Sequence, residues 1–323
     1  MKIKKTALAS GVISCMFILL IRPQASLRGA GDGLLLWYRT LFPTLMPFMV
    51  LSNFIVLTGC AKPIGRLLSP LTRLLRLPVQ AGYCILVGLL CGYPMGAYVC
   101  AGLNVIGEIN DADTEYLAPV CNNVSPMFMI SYIALGCLGD SKYILSVMLS
   151  LIGGSVLGMF LLRIMIPAGI HTAGIHTTKK RTAPKIEAAI SPKPSISVSA
   201  ALNQSIENAL MASLKLCIYV MLFSVAGSLI NELDFLNDIT KAGLVSLCEI
   251  TAGLNKLALL DIPIRIKFLL MTVFTAFGGF SSVFQTMSLS SGAYFNTGKY
   301  IAYKIVTALT TALIVLFVEA VGI

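Results

Sequence analysis

The residues of this chain that could do chemistry are polar side chains set beside glycines inside long apolar stretches. One such stretch, Arg265–Gly292, is interrupted from Gly278 onward by glycine, hydroxyl and amide groups. These groups donate and accept hydrogen bonds without charge, which suits a polar neutral or zwitterionic solute. The alternative is that the serine hydroxyls bond back to carbonyls of their own helix. The candidate binding residues here are Gly279, Ser281, Ser282 and Gln285.

A second apolar stretch, Val79–Ile106, has a similar interruption in the first half of the chain, around Gly92. Pro94 suits the first turn of a new helix because it has no N–H to donate, and Gly96 lets another backbone approach closely. The start of that helix would direct free N–H groups and a partial positive charge into the middle of the stretch. We therefore expect Gly92, Pro94 and Gly96 to bind the solute. The alternative is a kinked helix whose small residues serve packing.

The third interruption is Asn122-Asn123-Val124-Ser125-Pro126. Proline leaves a carbonyl unpaired about one turn earlier, near Asn122. Polar residues deep in a membrane span are costly and usually face the interior. We expect Asn122, Asn123 and Ser125 to bind a ligand or an ion, with packing between helices as the alternative.

Glu249 is the acidic residue most deeply embedded in apolar sequence. A carboxylate inside a membrane is a functional hypothesis by default, as a cation site or a proton carrier. We therefore predict that Glu249 couples an ion to function. The alternatives are a structural ion pair with Lys215 and a position at the membrane interface.

The composition indicates a membrane protein. The 323 residues are 57% hydrophobic and only 12% charged, with a mean hydropathy of +0.86, whereas a soluble domain carries about 25% charge. The net charge of +10 comes from Lys and Arg gathered in short segments such as 62–76 and 179–193, as in cytoplasmic loops of membrane proteins. The positive net charge therefore reflects membrane topology, and we expect no nucleic-acid partner.

Neither catalysis nor a cofactor is expected. The sequence contains no G-x-S-x-G, H-E-x-x-H or phosphate-binding-loop motif, and these motifs carry the commonest hydrolytic chemistry. Its nine cysteines form no C-x-x-C pair and are expected to be small buried hydrophobes. Its two histidines, His171 and His176, lie in a Pro-, Ser- and Lys-rich segment and are weak metal ligands. The expected partners are the lipid bilayer and a small polar solute, and assembly of the chain with further copies stays open.

Apolar runs of spanning length, which requires about 20 residues, lie at about 6–21, 34–58, 114–138, 142–166, 204–230 and 297–320. Shorter amphipathic pieces, about 60–78 and 239–261, precede the interrupted stretches. With the N-terminus inside, a hairpin at Val79–Ile106 keeps the basic segment 167–200 on the cytoplasmic side, as the positive-inside rule requires. Each arm of about 12 residues would reach just past the middle of a bilayer core about 30 Å thick.

We therefore expect an all-α polytopic protein of the cell membrane with two inverted repeats, each with a re-entrant helical hairpin and a broken helix. The second hairpin is expected in Arg265–Gly292, which would place Arg265, Lys267, Lys299 and Lys304 near the outer face while Glu108–Glu115 is cytoplasmic. The expected units are an N-terminal membrane helix (1–33), a first repeat with a connecting helix (34–166), a cytoplasmic linker (167–203) and a second repeat (204–323).

The interruptions, taken in order, resemble a known family. Leu41–Phe48, Gly92–Ala97, Asn122–Pro126, Glu249–Gly253 and Gly278–Ser282 with Gln285 together look like the sporulation integral membrane protein YlbJ family. The resemblance implies a spore-forming bacterium and the "nucleoside recognition" or Gate module, which is named for its similarity to concentrative nucleoside transporters. Phe280–Ser282 is similar to part of the second hairpin of those transporters, but the acidic and glutamine-rich pattern of their first hairpin is absent.

Two functions fit these observations. The first is a secondary-transporter-like permease that moves a small polar solute by the motion of one repeat against the other, and a channel-like gate is a variant of it. The second is a non-transporting membrane component needed for spore assembly, which acts through protein partners. A cavity lined by polar groups at the interruptions favours the first function, and a packed midplane favours the second.

Overall fold

A computed structural model describes residues 10, 13, 16–165, 197–290 and 293–322 of the chain. Over these residues the secondary structure is helical, without strands. The helices of the first half are α1 (Pro23–Leu36), α2 (Phe42–Leu57), α3 (Ala61–Gly65), α4 (Ser69–Leu74), α5 (Ala81–Cys91), α6 (Met95–Val105), α7 (Asp111–Val120) and α8 (Tyr143–Met165). Those of the second half are α9 (Val198–Asn231), α10 (Asp238–Cys248), α11 (Ile250–Leu259), α12 (Ile264–Phe277), α13 (Gly279–Leu289) and α14 (Thr297–Val321). π-Helical turns cover Trp37–Leu41 and Phe128–Cys137, and a 3-10 turn covers Arg66–Leu68.

Five helical segments of the described chain are long and apolar enough to cross a membrane: Pro23–Leu57, Tyr143–Met165, Val198–Asn231, Ile264–Leu289 and Thr297–Val321. Their outer faces expose large apolar side chains. On α14, for example, Leu309, Leu313 and Phe317 are 62%, 59% and 64% exposed and recur at every fourth position, so they share one face. A stripe of this kind suits contact with lipid, and the predicted multi-pass membrane location is confirmed.

Two expected boundaries fall within helices. Residues 33 and 34 lie inside the continuous helical run Pro23–Leu57, and α9 begins at Val198, so the last residues assigned to the linker are helical. The remainder of that linker, 167–196, lies outside the described residues. Helix α1 packs closely on α9, because a Cβ added at Gly29 would come within 2.6 Å of the Val225 Cα.

Helices α5 and α6 pack against one another as a hairpin. The turn between them has a positive φ of 79° at Gly92 and a cis peptide bond between Tyr93 and Pro94. Gly88 and Gly96 face the backbone of the broken segment, because a Cβ at either position would overlap the carbonyl oxygen of Cys121. Close packing, the alternative reading of the small residues, thus applies to Gly96.

The interruption at Asn122–Pro126 is confirmed as a helix break. Helix α7 ends at Val120, residues 122–125 are not helical, and helical structure resumes at Pro126. Pro126 explains the break locally, since proline cannot donate a backbone hydrogen bond and disfavours a helical conformation in the preceding residue. Each half is too short to span a bilayer alone.

The second hairpin expected in Arg265–Gly292 is wrong. Helices α12 and α13 do not pack along one another. They meet at Gly278 and Gly279, whose φ angles are 89° and 75°, and together they are long enough to span a membrane. Two successive residues with positive φ bend the chain without reversing it here. This segment is therefore a broken helix.

The helical pair of the second half is α10 with α11, which pack against each other. Glu249 lies in the turn between them with extended backbone angles. A Cβ added at Gly253 would overlap the backbone of Ser246, so the two helices are in close contact just beyond the turn. The sequence predicts an amphipathic piece here, with Glu249 as an ion-coupling residue, but it does not predict the helix pair.

The expected position of Lys299 near the outer face, away from Glu115, is also wrong. The Nζ of Lys299 lies 2.6 Å from the Oε1 of Glu115, and the Tyr294 N–H donates to the Oδ1 of Asn104, at 3.0 Å. The start of α14 therefore lies beside the end of α6 and the start of α7. A membrane crossing by α12–α13 would account for this placement, because a crossing brings the chain to the opposite face.

Candidate functional site

A cavity of about 180 Å³ lies where the two helix pairs and the two helix breaks meet. Its wall comes from the turn Cys91–Tyr93, the break at 124–128, the turn Glu249–Thr251 and the break at 278–285. Two long spans complete it, through Thr40–Leu45 and through Leu216 and Val220 of α9. On a share of about 30 Å³ for each water in the liquid, this volume has room for about six waters or one small solute.

Six of the predicted site residues line this cavity: Gly92, Ser125, Glu249, Ser281, Ser282 and Gln285. The other five, Pro94, Gly96, Asn122, Asn123 and Gly279, are outside its lining. The fold thus brings together residues that are 193 positions apart in the sequence, from Gly92 to Gln285.

Glu249 is the carboxylate of the cavity wall. It is only 3% exposed, and its Oε2 accepts a hydrogen bond of 2.7 Å from the Ala252 N–H. The side chain therefore caps the N-terminus of α11, where the helix dipole favours a negative charge. Lys215 is exposed and is not among the residues that form ion pairs in the described structure, so it does not neutralise Glu249.

The polar groups of the second break interact mainly with each other. The Nε2 of Gln285 donates to the Oγ of Ser281 at 2.8 Å. The Oγ of Ser282 donates to the Gly279 carbonyl at 3.1 Å. The alternative of bonding back to the helix therefore describes Ser282, whereas Ser281 and Gln285 form a side-chain pair at the cavity wall.

Aromatic side chains form another part of the wall, and the sequence reading did not select them. The rings of Phe128 and Tyr132 stack with centroids 4.6 Å apart, and the Tyr132 hydroxyl donates to the Thr251 carbonyl at 2.8 Å. The Tyr93 hydroxyl is buried without a hydrogen-bond partner among the described atoms. A signal was present, since Tyr93 lies in the first turn itself and Phe128 and Tyr132 follow Pro126 with helical i, i+4 spacing.

The two asparagines hold the first break in place. The Nδ2 of Asn122 donates to the Oγ1 of Thr286, at 2.9 Å, and to the hydroxyl of Tyr300. The Nδ2 of Asn123 donates to the Val120 carbonyl at 2.7 Å, and its Oδ1 accepts from Ser155 at 3.2 Å. These bonds tie the break to α13, α14 and α8, which is the packing alternative considered for both residues.

The described residues contain no group of three or more His, Cys, Asp or Glu side chains arranged to hold a metal ion. His171 and His176 lie outside the described residues. The cavity instead combines one carboxylate, several hydroxyl and amide groups, and stacked aromatic rings. Such a wall can bind a molecule that has both a hydrogen-bonding part and an apolar face.

Fold and site together define a class: an all-helical integral membrane protein with a ligand-sized cavity at its helix breaks. Neither a protein-family model nor a solved structure matches the chain. The chain is 24% identical over 316 residues to the sporulation integral membrane protein YlbJ of Bacillus subtilis (strain 168), across 90% of this chain and 76% of that protein. This similarity, which extends over most of both chains, confirms the resemblance indicated by the ordered interruptions.

Proposed function

We propose that this protein is a permease with a Gate-type fold that moves a small polar solute across the membrane of a spore-forming bacterium, and that sporulation requires it. The observation that carries the proposal is the cavity between two helix turns and two helix breaks. Broken helices in a membrane are tolerated where they are buried in protein or line a cavity. Transporter sites are commonly built from such discontinuous helices.

The proposal includes two inverted repeats. In each repeat, the two short helices that pack against each other form the hairpin. In the first repeat α5–α6 is the re-entrant hairpin, and Asp111–Cys137 is the broken crossing. In the second repeat α10–α11 is the re-entrant hairpin and Ile264–Leu289 is the broken crossing. This order, hairpin followed by broken helix, is the same in both halves, and it supports a common plan entered from opposite faces.

The position of Glu249 supports a role in ion coupling. In this arrangement it lies at the tip of the second hairpin and in the wall of the cavity. An ionisable group at a cavity inside the membrane marks ion or proton pathways. We propose that Glu249 takes up and releases a cation or proton as one repeat moves against the other. The protein would act as a carrier and not as an enzyme.

The cavity wall also constrains the solute. Ser281, Ser282 and Gln285 supply neutral hydrogen-bonding groups, and Phe128 and Tyr132 supply a flat apolar surface. A solute with hydrogen-bonding groups on one side and a planar apolar face on the other would satisfy both parts of the wall.

Solute-dependent stabilisation of the purified protein tests the proposal. The panel contains nucleosides, amino acids, small carboxylic acids and divalent cations. A bound solute at a hundred times its dissociation constant should stabilise the folded protein by about 2.7 kcal/mol. The stabilisation by the solute should disappear in Ser281→Ala. It should persist in Ser26→Ala, which changes a serine outside the cavity.

Uptake of the stabilising solute into proteoliposomes then separates the two functions. Uptake that follows an imposed gradient supports the permease. A protein that neither responds to any solute nor supports flux contradicts it, and favours the non-transporting component of spore assembly that acts through protein partners.

A further inference from the structure

Lys304 is a lysine in the interior of the protein. It lies on α14, is 1% exposed and is among the largest fully buried side chains. Its Nζ donates a hydrogen bond of 2.7 Å to the backbone carbonyl of Asn122, in the first helix break. This burial contradicts the position near the outer face that was expected from the sequence, and no role in the proposed permease uses Lys304. Lysines are almost never fully buried without a partner, so this one requires an explanation.

No carboxylate in the described structure lies within ion-pair distance of Lys304. On α7, Glu115 is bound by Lys299, and Asp113 accepts from the Nδ2 of Asn110. On α8, Arg163 donates to the Leu75 and Arg76 carbonyls. Helix α12 carries its charged residues only at its start, and α13 carries none. Lys304 is linked to two hydroxyl groups through Asn122, because the side chain of Asn122 donates to Thr286 and Tyr300.

The helix break presents oxygen atoms of the kind that bind a dehydrated cation. The Asn122 carbonyl has no helical partner, because residues 122–125 are not helical. The Oδ1 of the same residue, which is 0% exposed, has no hydrogen-bond partner among the described atoms. In discontinuous membrane helices, unwound carbonyls of this kind coordinate monovalent cations.

We propose that the first helix break is a monovalent-cation site and that the ammonium group of Lys304 occupies it. The lysine acts as a tethered cation that joins α14 to the break and, through the Asn122 side chain, to α13. The break therefore needs no free cation in the native protein. This site is separate from Glu249 and does not depend on whether the protein transports a solute.

Removal of the tethered cation tests the proposal. Lys304→Ala leaves the carbonyl and the space beside it open to a free cation. Thermal unfolding of the detergent-purified variant is followed in choline chloride, sodium chloride and methylammonium chloride at equal ionic strength. The apparent midpoint should fall below that of the wild type in choline. In sodium or methylammonium chloride the midpoint of Lys304→Ala should rise again by roughly 2–4 °C and reach a plateau as the salt concentration increases. A rise of this size corresponds to regaining about one hydrogen bond.

Two control variants accompany this test. Lys215→Ala on α9 removes an exposed lysine that takes part in none of the ion pairs of the described residues, and it should respond equally to the three salts, as should the wild type. Lys304→Met fills the space without a charge, so its midpoint should lie below that of the wild type and should not recover with either cation.

Two results would overturn the proposal. The first is a Lys304→Ala protein that responds identically to all three salts. The second is a Lys304→Met protein at least as stable as the wild type in choline, which would show that no cation is needed at the break. If Lys304→Ala cannot be recovered in a folded form, the Lys304→Met comparison decides. Failure of the uptake experiment leaves this test unchanged, since its readout is stability.

Discussion

Glu249 combines a structural contact with a place in the cavity wall. Its carboxylate caps α11 by accepting the Ala252 N–H, and it also faces the cavity. A cap of this kind contributes about 1 kcal/mol. Burial at the tip of a helical pair keeps the carboxylate away from water, so a change in its charge would alter the local interactions of both helices.

Substitutions at Glu249 should separate these two roles. Glu249→Gln retains an oxygen that can accept the Ala252 N–H, so protein level and thermal midpoint should stay close to those of the wild type. Ion-coupled uptake in proteoliposomes should be abolished, because the amide cannot exchange a proton or balance a cation. Glu249→Ala should lose uptake and also about 1 kcal/mol of stability with the cap.

Loss of folded Glu249→Gln protein would favour a structural role instead. Normal uptake by a stable Glu249→Gln protein would contradict the coupling role directly.

At the scale of helices, close backbone contact holds the first hairpin against the first break. Gly88 on α5 and Gly96 on α6 face the same carbonyl, that of Cys121. Small residues let helices in a membrane approach until backbone atoms touch, which gives the van der Waals packing that drives helix association in lipid. The contact fixes the turn at Gly92 beside the break, and so fixes the depth of the cavity wall.

Gly96→Ala should disrupt this contact. The new methyl group would overlap a backbone carbonyl, which cannot move aside as a flexible side chain can. A loss of about 3 kcal/mol is expected, the upper end of the usual cost of overpacking. The thermal midpoint and the yield of monodisperse protein measure it.

Gly31→Ala is the matched control. A Cβ at Gly31 meets nothing within 4 Å, and alanine favours a helix over glycine by up to about 1 kcal/mol. This variant should be at least as stable as the wild type. Equal stability of the Gly96→Ala and Gly31→Ala proteins would show that the hairpin does not pack on the break.

For the whole molecule, the pairing of helices decides which loops share a face of the membrane. Arg163 at the end of α8 donates to the carbonyls of Leu75 and Arg76, so the basic segment at 62–76 lies beside the end of α8. The positive-inside rule predicts that this face is cytoplasmic. Glu115 and Lys299, which pair with each other, join segments that the proposed repeat arrangement would place on this same face.

Cysteine labelling tests this topology. In a background without reactive native cysteines, Glu108→Cys and Thr297→Cys should react with a membrane-impermeant maleimide only from the cytoplasmic side. Asp261→Cys, between α11 and α12, should react only from outside, as the proposed membrane crossing by α12–α13 requires. Labelling of positions 297 and 261 from the same side would contradict the crossing and restore a hairpin at Gly278.

Local chemistry allowed the sequence to predict where helices break. Gly92, Pro126 and Gly278 interrupt helices because glycine adopts positive φ and proline lacks an N–H. Such effects act within a few residues, so they are visible without a structure. The same is true of membrane location, which follows from the length and hydropathy of the spans.

Only the tertiary structure decided which arms pair and which side chains meet. Helices α12 and α13 expose apolar surface much as α10 and α11 do. Lipid gives apolar surfaces no preference for a particular partner. Hydropathy alone therefore cannot distinguish a hairpin from a crossing. The cavity draws its wall from residues as distant as Gly92 and Gln285, and its aromatic side chains are selected by packing. The burial of Lys304 against the Asn122 carbonyl depends on the same packing, because nothing near Lys304 in the sequence marks its partner.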